Sequence, residues 1–295
     1  MCERTSRALV AAAIVGFTVA TPVSSRAQSL AQRRTVAIVV PAADQTQELR
    51  LRDGSRLYGR VVTIEADHIS FRTVAGAEVR VARSEILWLA VAEGRLVKGE
   101  FLPADSNATR LFFGPTARSL RRGQAYVGVY ELLLPTVQVG LTDRFSIGGG
   151  TLPLFGFEDG RLAWITPKVQ LYSGDRAAVA AGVIHFFVSG EDDVGIAFAA
   201  MTFGPSDAAV TTGAGCAYAT GDEGGCSAVV MVGGERRLSR RVKFISENYL
   251  WKGSGLLSGG FRFLGDRLSA DVGLVIPLGT DEFVAVPIVN FVWMF

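Results

Sequence analysis

The side chains that could do chemistry are few, and their spacing limits what that chemistry would be. Only two histidines occur, His68 and His185. His185 is followed at short range by Ser189, Glu191, Asp192 and Asp193, an imidazole with a hydroxyl and three carboxylates. A hydrolase needs such a set, because an imidazole takes the hydroxyl proton while a carboxylate orients the ring. The local order His-Phe-Phe-Val-Ser carries no enzyme pattern, and His68 beside Asp67 reads as an exposed strand residue. The expectation is therefore a non-enzyme, with a hydrolase as the remote alternative. Cys216 and Cys226 flank the polar stretch 220–225; they read either as a loop disulfide or as two free thiols at strand ends. No nucleotide-binding loop, metal cluster or redox motif occurs, so no cofactor is expected.

A second group is defined by where it falls. Lys168, Glu235, Arg237, Lys243, Glu247, Arg262 and Asp271 interrupt runs that are otherwise rich in Val, Ile, Phe, Ala and Gly. If those runs cross a membrane as strands, a Lys or Arg facing lipid at the midplane costs about 2–4 kcal/mol. The charges should then point inward. Lys243 and Glu247 are four apart and share a strand face, as do Glu235 and Arg237; a hairpin through Ser239-Arg240 brings the two sets together. Two readings stay open: a lumen that filters solutes by charge, and a salt-bridged interior that fills a narrow barrel.

The elements that position these charges are strands. From Ala125 to Phe295, runs of eight to twelve residues alternate in hydrophobicity: Val169 and Leu171 against Lys168 and Gln170, Leu268, Ala270 and Val272 against Ser269 and Asp271. Turn residues recur at Asp143-Arg144, Gly174-Asp175-Arg176, Pro205-Ser206-Asp207, Ser239-Arg240-Arg241 and Gly265-Asp266-Arg267. Lipid satisfies no backbone group, so such strands must close into a barrel, and an even count follows if both ends of the barrel domain lie on one side. Twelve strands are expected, with ten or fourteen as alternatives. They begin near Ala125, Thr136, Phe145, Ala163, Ala177, Val194, Ala208, Ser227, Arg241, Gly255, Leu268 and Phe283. The first pair is separated only by Leu134-Pro135. Trp164 and Trp251 are expected at the outer interface, with Tyr172 and Trp293 at the inner one.

Upstream the texture differs. Residues 47–99 read as four or five short strands with turns at Asp53-Gly54 and Ala75-Gly76, and with Leu49, Leu51, Val61, Ile64, Ile69, Phe71, Val79, Val81 and Ile86 inward. Residues 100–124 read as a linker in which Arg118, Arg121 and Arg122 either meet anionic headgroups or are plainly solvated. Arg4 and Arg7, an apolar segment from Ala8 to Ala20 and Ser25-Arg26-Ala27 read as a signal peptide over 1–27, followed by an N-terminal segment 28–46. Cys2 would leave with that peptide.

Three resemblances add to this reading. The Asp53-Gly54-Ser55 turn, the bend at Gly59 and the closing Arg83-Ser84-Glu85-Ile86 resemble an Sm-like small barrel. Phe291, Trp293 and Phe295 on one face of the last strand resemble the signal read by the bacterial barrel-assembly machinery. The strings TRLFFGPTARSL, GLTDRFSIGGG, SENYLW and FRFLGDRLSADVGL resemble an uncharacterised family of bacterial exported proteins with a predicted outer-membrane β-barrel. The expectation is an all-β chain: a transmembrane antiparallel barrel in a Gram-negative outer membrane behind a small periplasmic Sm-like domain. The net charge of +2, from 30 basic and 28 acidic residues spread along the chain, excludes a nucleic-acid partner. Outer-membrane lipids, the assembly machinery and a small solute or periplasmic protein remain as expected partners. Function divides between a passive channel or small-solute transporter and a non-conducting protein whose barrel anchors the small domain. An outer-membrane hydrolase is the remote third.

Overall fold

The computed structural model describes residues 45–92, 94–97, 99–105, 107–152, 162–221, 225–279 and 283–295. The expected signal peptide, Cys2 and most of the segment 28–46 lie outside the described residues. Among the described residues no helix is long and apolar enough to cross a membrane, which says nothing about strands.

Strands β1 (Gln47–Leu51), β2 (Arg56–Ile64), β3 (His68–Thr73), β4 (Glu78–Ala82) and β5 (Ile86–Val91) form an antiparallel sheet in the order β4-β3-β2-β1-β5. Gly54 and Gly76, at φ +89° and +88°, supply the left-handed turn positions that the sequence marked. Alternation buries Leu49, Ile69, Phe71, Val81 and Ile86. It fails in β2, where a bulge between Val61 and Thr63 slips the pairing with β3 and turns Ile64 to solvent. Tyr58 and Gly59 are the buried residues of that strand, and Tyr58 is stacked on Phe101 at 4.6 Å between centroids. Phe101 belongs to a hairpin of β6 (Gly94–Val97) and β7 (Glu100–Pro103), so the start of the expected linker packs with the small sheet instead.

The rest of the chain is a ring. It runs through β8 (Ala125–Tyr130), β9 (Leu134–Gly140), β10 (Phe145–Leu152), β11 (Leu162–Ile165), β12 (Lys168–Ser173), β13 (Ala177–Val188) and β14 (Val194–Phe203). It continues through β15 (Ala208–Ala219), β16 (Cys226–Arg237), β17 (Val242–Trp251), β18 (Ser254–Leu264), β19 (Leu268–Leu278) and β20 (Val286–Met294). β11 and β12 each pair with both β10 and β13, so they are two halves of one strand, interrupted at Thr166-Pro167. Pro167 has no N–H to give a ladder, which accounts for the break. β20 pairs back onto β8 from Asn290 opposite Tyr130 to Met294 opposite Tyr126, which closes a barrel of twelve antiparallel strands. Leu134-Pro135 lies inside β9; the turn before it is made by Glu131 and Leu132, both at positive φ without a glycine.

The two faces of the wall are opposites. Leu171, Val232, Phe261, Phe263, Val272, Leu274, Phe291 and Trp293 all stand exposed on the outside. Thr202, Thr211, Lys243, Glu247, Arg262 and Asn290 are shut away inside. So broad an apolar exterior is foreign to a water-soluble monomer and suits a hydrocarbon solvent. The aromatic positions divide differently from expectation. Tyr172 and Trp293 are exposed, but Trp164 is buried, and Trp251, though itself exposed, stands at the mouth of an interior chamber, because each shares its strand parity with inward-facing neighbours.

Candidate functional site

The interior is occupied by the chain itself. Residues 104–105 and 107–122, expected to bridge two domains, instead enter the barrel from the rim beside the small sheet, turn, and return to the same rim. Leu111 N–H donates to the Gly114 carbonyl at 2.8 Å and Thr116 N–H to the Thr109 carbonyl at 3.0 Å, so the segment is a short hairpin-like finger with its tip at 111–114. Asn107, Leu111, Phe112, Thr116 and Ala117 are wholly buried. The tip is apolar and meets an apolar layer of the wall, with Leu111 and Phe112 packed on Ile245, Ile288 and Val275.

A finger without a sheet ladder carries many unpaired backbone groups, and a buried one must find partners. The wall charges supply them. Glu247 accepts from the backbone N–H groups of Phe112, Phe113 and Gly114 at 2.6, 3.0 and 2.9 Å, and from the Tyr249 hydroxyl at 2.8 Å. Lys168 Nζ donates to the carbonyls of Thr109, Thr116 and Arg118 at 3.1, 3.1 and 2.7 Å. Arg262 donates to the carbonyls of Asn107, Arg110 and Leu111, and its Nε lies 2.6 Å from Asp271. Gln170 donates to Ala117 O, and Ala117 N–H donates to Thr202.

Ion pairs tie the finger's own charges to the wall. Lys243 Nζ bridges Asp105 at 2.5 Å and Glu235 at 2.7 Å. Arg110 reaches Asp271 at 2.8 Å, and Arg118 pairs with the other oxygen of Glu235. Cross-strand register explains the arrangement: Lys243 stands opposite Arg237 on one side and Arg262 on the other, and Arg262 stands opposite Asp271. Of the residues singled out in the sequence, Lys168, Glu235, Lys243, Glu247, Arg262 and Asp271 are all placed in the interior and each touches the finger. Arg237 sits at the rim, where it donates to Asp207 at 3.0 Å and to Pro103 O at 2.6 Å. Arg118 is not at a headgroup surface, while Arg121 and Arg122 stay exposed at the rim.

Sequence reasoning missed Asp105, Asn107 and Arg110, and placed Arg118 at headgroups or in solvent instead of in the finger's half of the network. One signal was present: Leu111-Phe112-Phe113 is too apolar for a solvated linker.

The small sheet meets the same rim. Arg56 forms a two-pronged pair with Asp266, and Arg95 lies 2.5 Å from Asp207, which also holds Arg237. The Arg240 guanidinium lies over the Tyr58 ring at 5.1 Å. Burial raises the Glu48 carboxyl above its ordinary value, against the opposing pull of Arg56 and Arg50. Because Asp207 is 95% shielded and holds two arginines from two elements, Asp207→Ala should release the hairpin β6–β7. Trypsin cleavage at Arg95 is expected to rise severalfold while the heat-modifiable migration of the barrel is kept; unchanged cleavage would show that the pair does not hold the hairpin.

The remaining candidates lie at the opposite end of the barrel. His185 stands on the outward face, its Nδ1 2.9 Å from the Tyr218 hydroxyl and its Nε2 3.4 Å from Asp193. Gly195 lies between them in register, with no side chain to block the contact. Cys216 and Cys226 have Cα atoms 5.3 Å apart and are joined as a disulfide.

No protein-family model matches the chain, and no curated protein matches it. Among solved structures, the KdgM porin in complex with disordered oligogalacturonate has a TM-score of 0.46 at 6% identity, over 58% of this chain and 98% of that one. The KdgM porin alone gives 0.45 at 5% identity, over 58% and 98%. A loop-deletion mutant of OmpT, an outer membrane protein of Vibrio cholerae, gives 0.36 at 12% identity, over 85% and 96%. Likenesses of this strength add nothing to what the strand order itself shows. The fold and site together define an all-β protein: a closed twelve-stranded antiparallel barrel with a finger of its own chain held inside by charge.

Proposed function

We propose that this chain is an outer-membrane β-barrel protein that does not conduct, and that its barrel anchors the small N-terminal sheet at the periplasmic rim. The single observation that carries the reading is the finger of residues 104–105 and 107–122, buried in the interior and bonded to charges on β12, β16, β17, β18 and β19. A solute channel would need that path clear. The apolar exterior supports an outer-membrane location, with outer-membrane lipids as surroundings and the barrel-assembly machinery as the route of insertion. For the small domain we propose an Sm-like fold. The order β4-β3-β2-β1-β5 and the 3-10 turn Arg83–Glu85 before β5 support it. Its partner on this reading is a periplasmic protein.

Single-channel recording in planar bilayers tests the proposal. The refolded full chain is expected to give no stable conductance steps. Steady ohmic steps from a preparation shown to be fully folded would replace this reading with the channel.

A further inference from the structure

Beyond the finger tip, on the side away from the small sheet, the barrel interior changes character. A cavity of about 310 Å³ is lined there by Ile184, Ile196, Phe198, Met231, Trp251 and Leu256. Pro115 of the finger lies at one end. Trp251, the last residue of β17, and Leu256, near the start of β18, lie at the other, beside the exposed turn Lys252-Gly253. The space exists because the facing wall carries almost no side chain: β14 presents Ala200, and β15 presents Gly213 and Gly215. The one hydroxyl in the lining belongs to Tyr249 and is already donated to Glu247 at 2.8 Å.

Water is a poor occupant of such a chamber, since an interior water needs two to four polar partners. Ligand pockets begin at about 300 Å³ and use polar groups to orient what they bind. The only such group in this one is the Tyr249 hydroxyl, already committed to Glu247, and the polar Lys252-Gly253 turn lies at the mouth. We infer that the chamber is a binding site for a single hydrocarbon chain of an amphiphile, tail toward Pro115 and polar head at the Lys252 turn. The inference rests on the finger being the floor of the chamber, as in the proposed function. The tail could come from a phospholipid of the surrounding bilayer or from a free fatty acid, and both offer the same chemistry.

The probe is cis-parinaric acid, titrated into the full-length refolded protein held in an amphipathic polymer and, separately, in phospholipid nanodiscs. A saturable rise in probe fluorescence at one site per chain is expected. Ala200→Phe fills the chamber from its wall and should weaken binding at least tenfold; Met231→Trp does so from the neighbouring β16. Val232→Phe, on the outward face of β16, should leave binding unchanged. Heat-modifiable migration checks that each variant is folded. Displacement of the probe by added phospholipid identifies a lipid tail as the occupant, and binding that survives in nanodiscs identifies a free amphiphile. Absence of saturable binding, or binding that neither filling variant weakens, overturns the inference. Conductance recorded on the same preparation keeps the two readings apart, because a conducting protein that binds the probe loses only the anchor proposal.

Discussion

Replacing residues 105–120 by a Gly/Ser linker of about six residues is expected to turn a silent barrel into a pore. The finger enters and leaves at one rim. Pro103 O is held there by Arg237, and Gly123 N–H donates to Gly140 O at 2.9 Å, so a short flexible connection can join the same points without crossing the lumen. Barrels of about eight strands are filled by their own side chains, and those of about sixteen leave a channel. Twelve strands fall between these, and here the finger makes up the difference. Its removal would leave Lys168, Lys243 and Arg262 facing Glu235, Glu247 and Asp271 across water, three cations against three carboxylates, with Arg237 held by Asp207 at the rim. Stepwise conductance with little preference between anions and cations should appear, and adding Lys243→Gln should move the reversal potential toward cations. A deletion variant that folds, migrates as a barrel and remains silent would mean that the wall side chains close the lumen unaided.

The largest single-residue effect should come from Arg262→Met. Arg262 is wholly buried, and its loss would strip the donor from the Asn107 and Arg110 carbonyls, leave the Leu111 carbonyl with Arg110 alone, and leave Asp271 paired only with Arg110 and Asp105 only with Lys243. Removing one partner of a buried ion pair typically costs about 3–5 kcal/mol; here each carboxylate keeps one cation, and each buried carbonyl left without a donor adds about 1–3 kcal/mol. Denaturant unfolding of the refolded protein in lipid vesicles should register a loss of that size. The outward control Phe244→Leu, which faces lipid on the same wall, should cost less than about 1.5 kcal/mol. Equal losses for the two would show that the interior network contributes no more than ordinary packing.

Much of this architecture was legible beforehand because a strand has a period of two and a lipid face excludes charge. Those two rules together set the twelve strands, the inward direction of Lys243, Glu247, Arg262 and Asp271, and the outward direction of Phe291 and Trp293. They hold residue by residue and need no knowledge of distant contacts. Where local geometry breaks the period, the same rules mislead. The bulge in β2 exposes Ile64, and the parity of β11 and β17 sends Trp164 inside and Trp251 to the mouth of the interior chamber, although an aromatic ring suits a membrane interface equally well.

The finger was the feature that only tertiary structure decided. Residues 104–105 and 107–122 have no period, and their carbonyls and N–H groups are satisfied by side chains from strands as far as 178 positions away, as between Phe112 and Asn290. A wall charge can be read as inward from its own strand. Whether it faces water, an opposite charge or the backbone of another segment depends on what the closed ring encloses, and that is set only when β20 meets β8 and the interior must be filled.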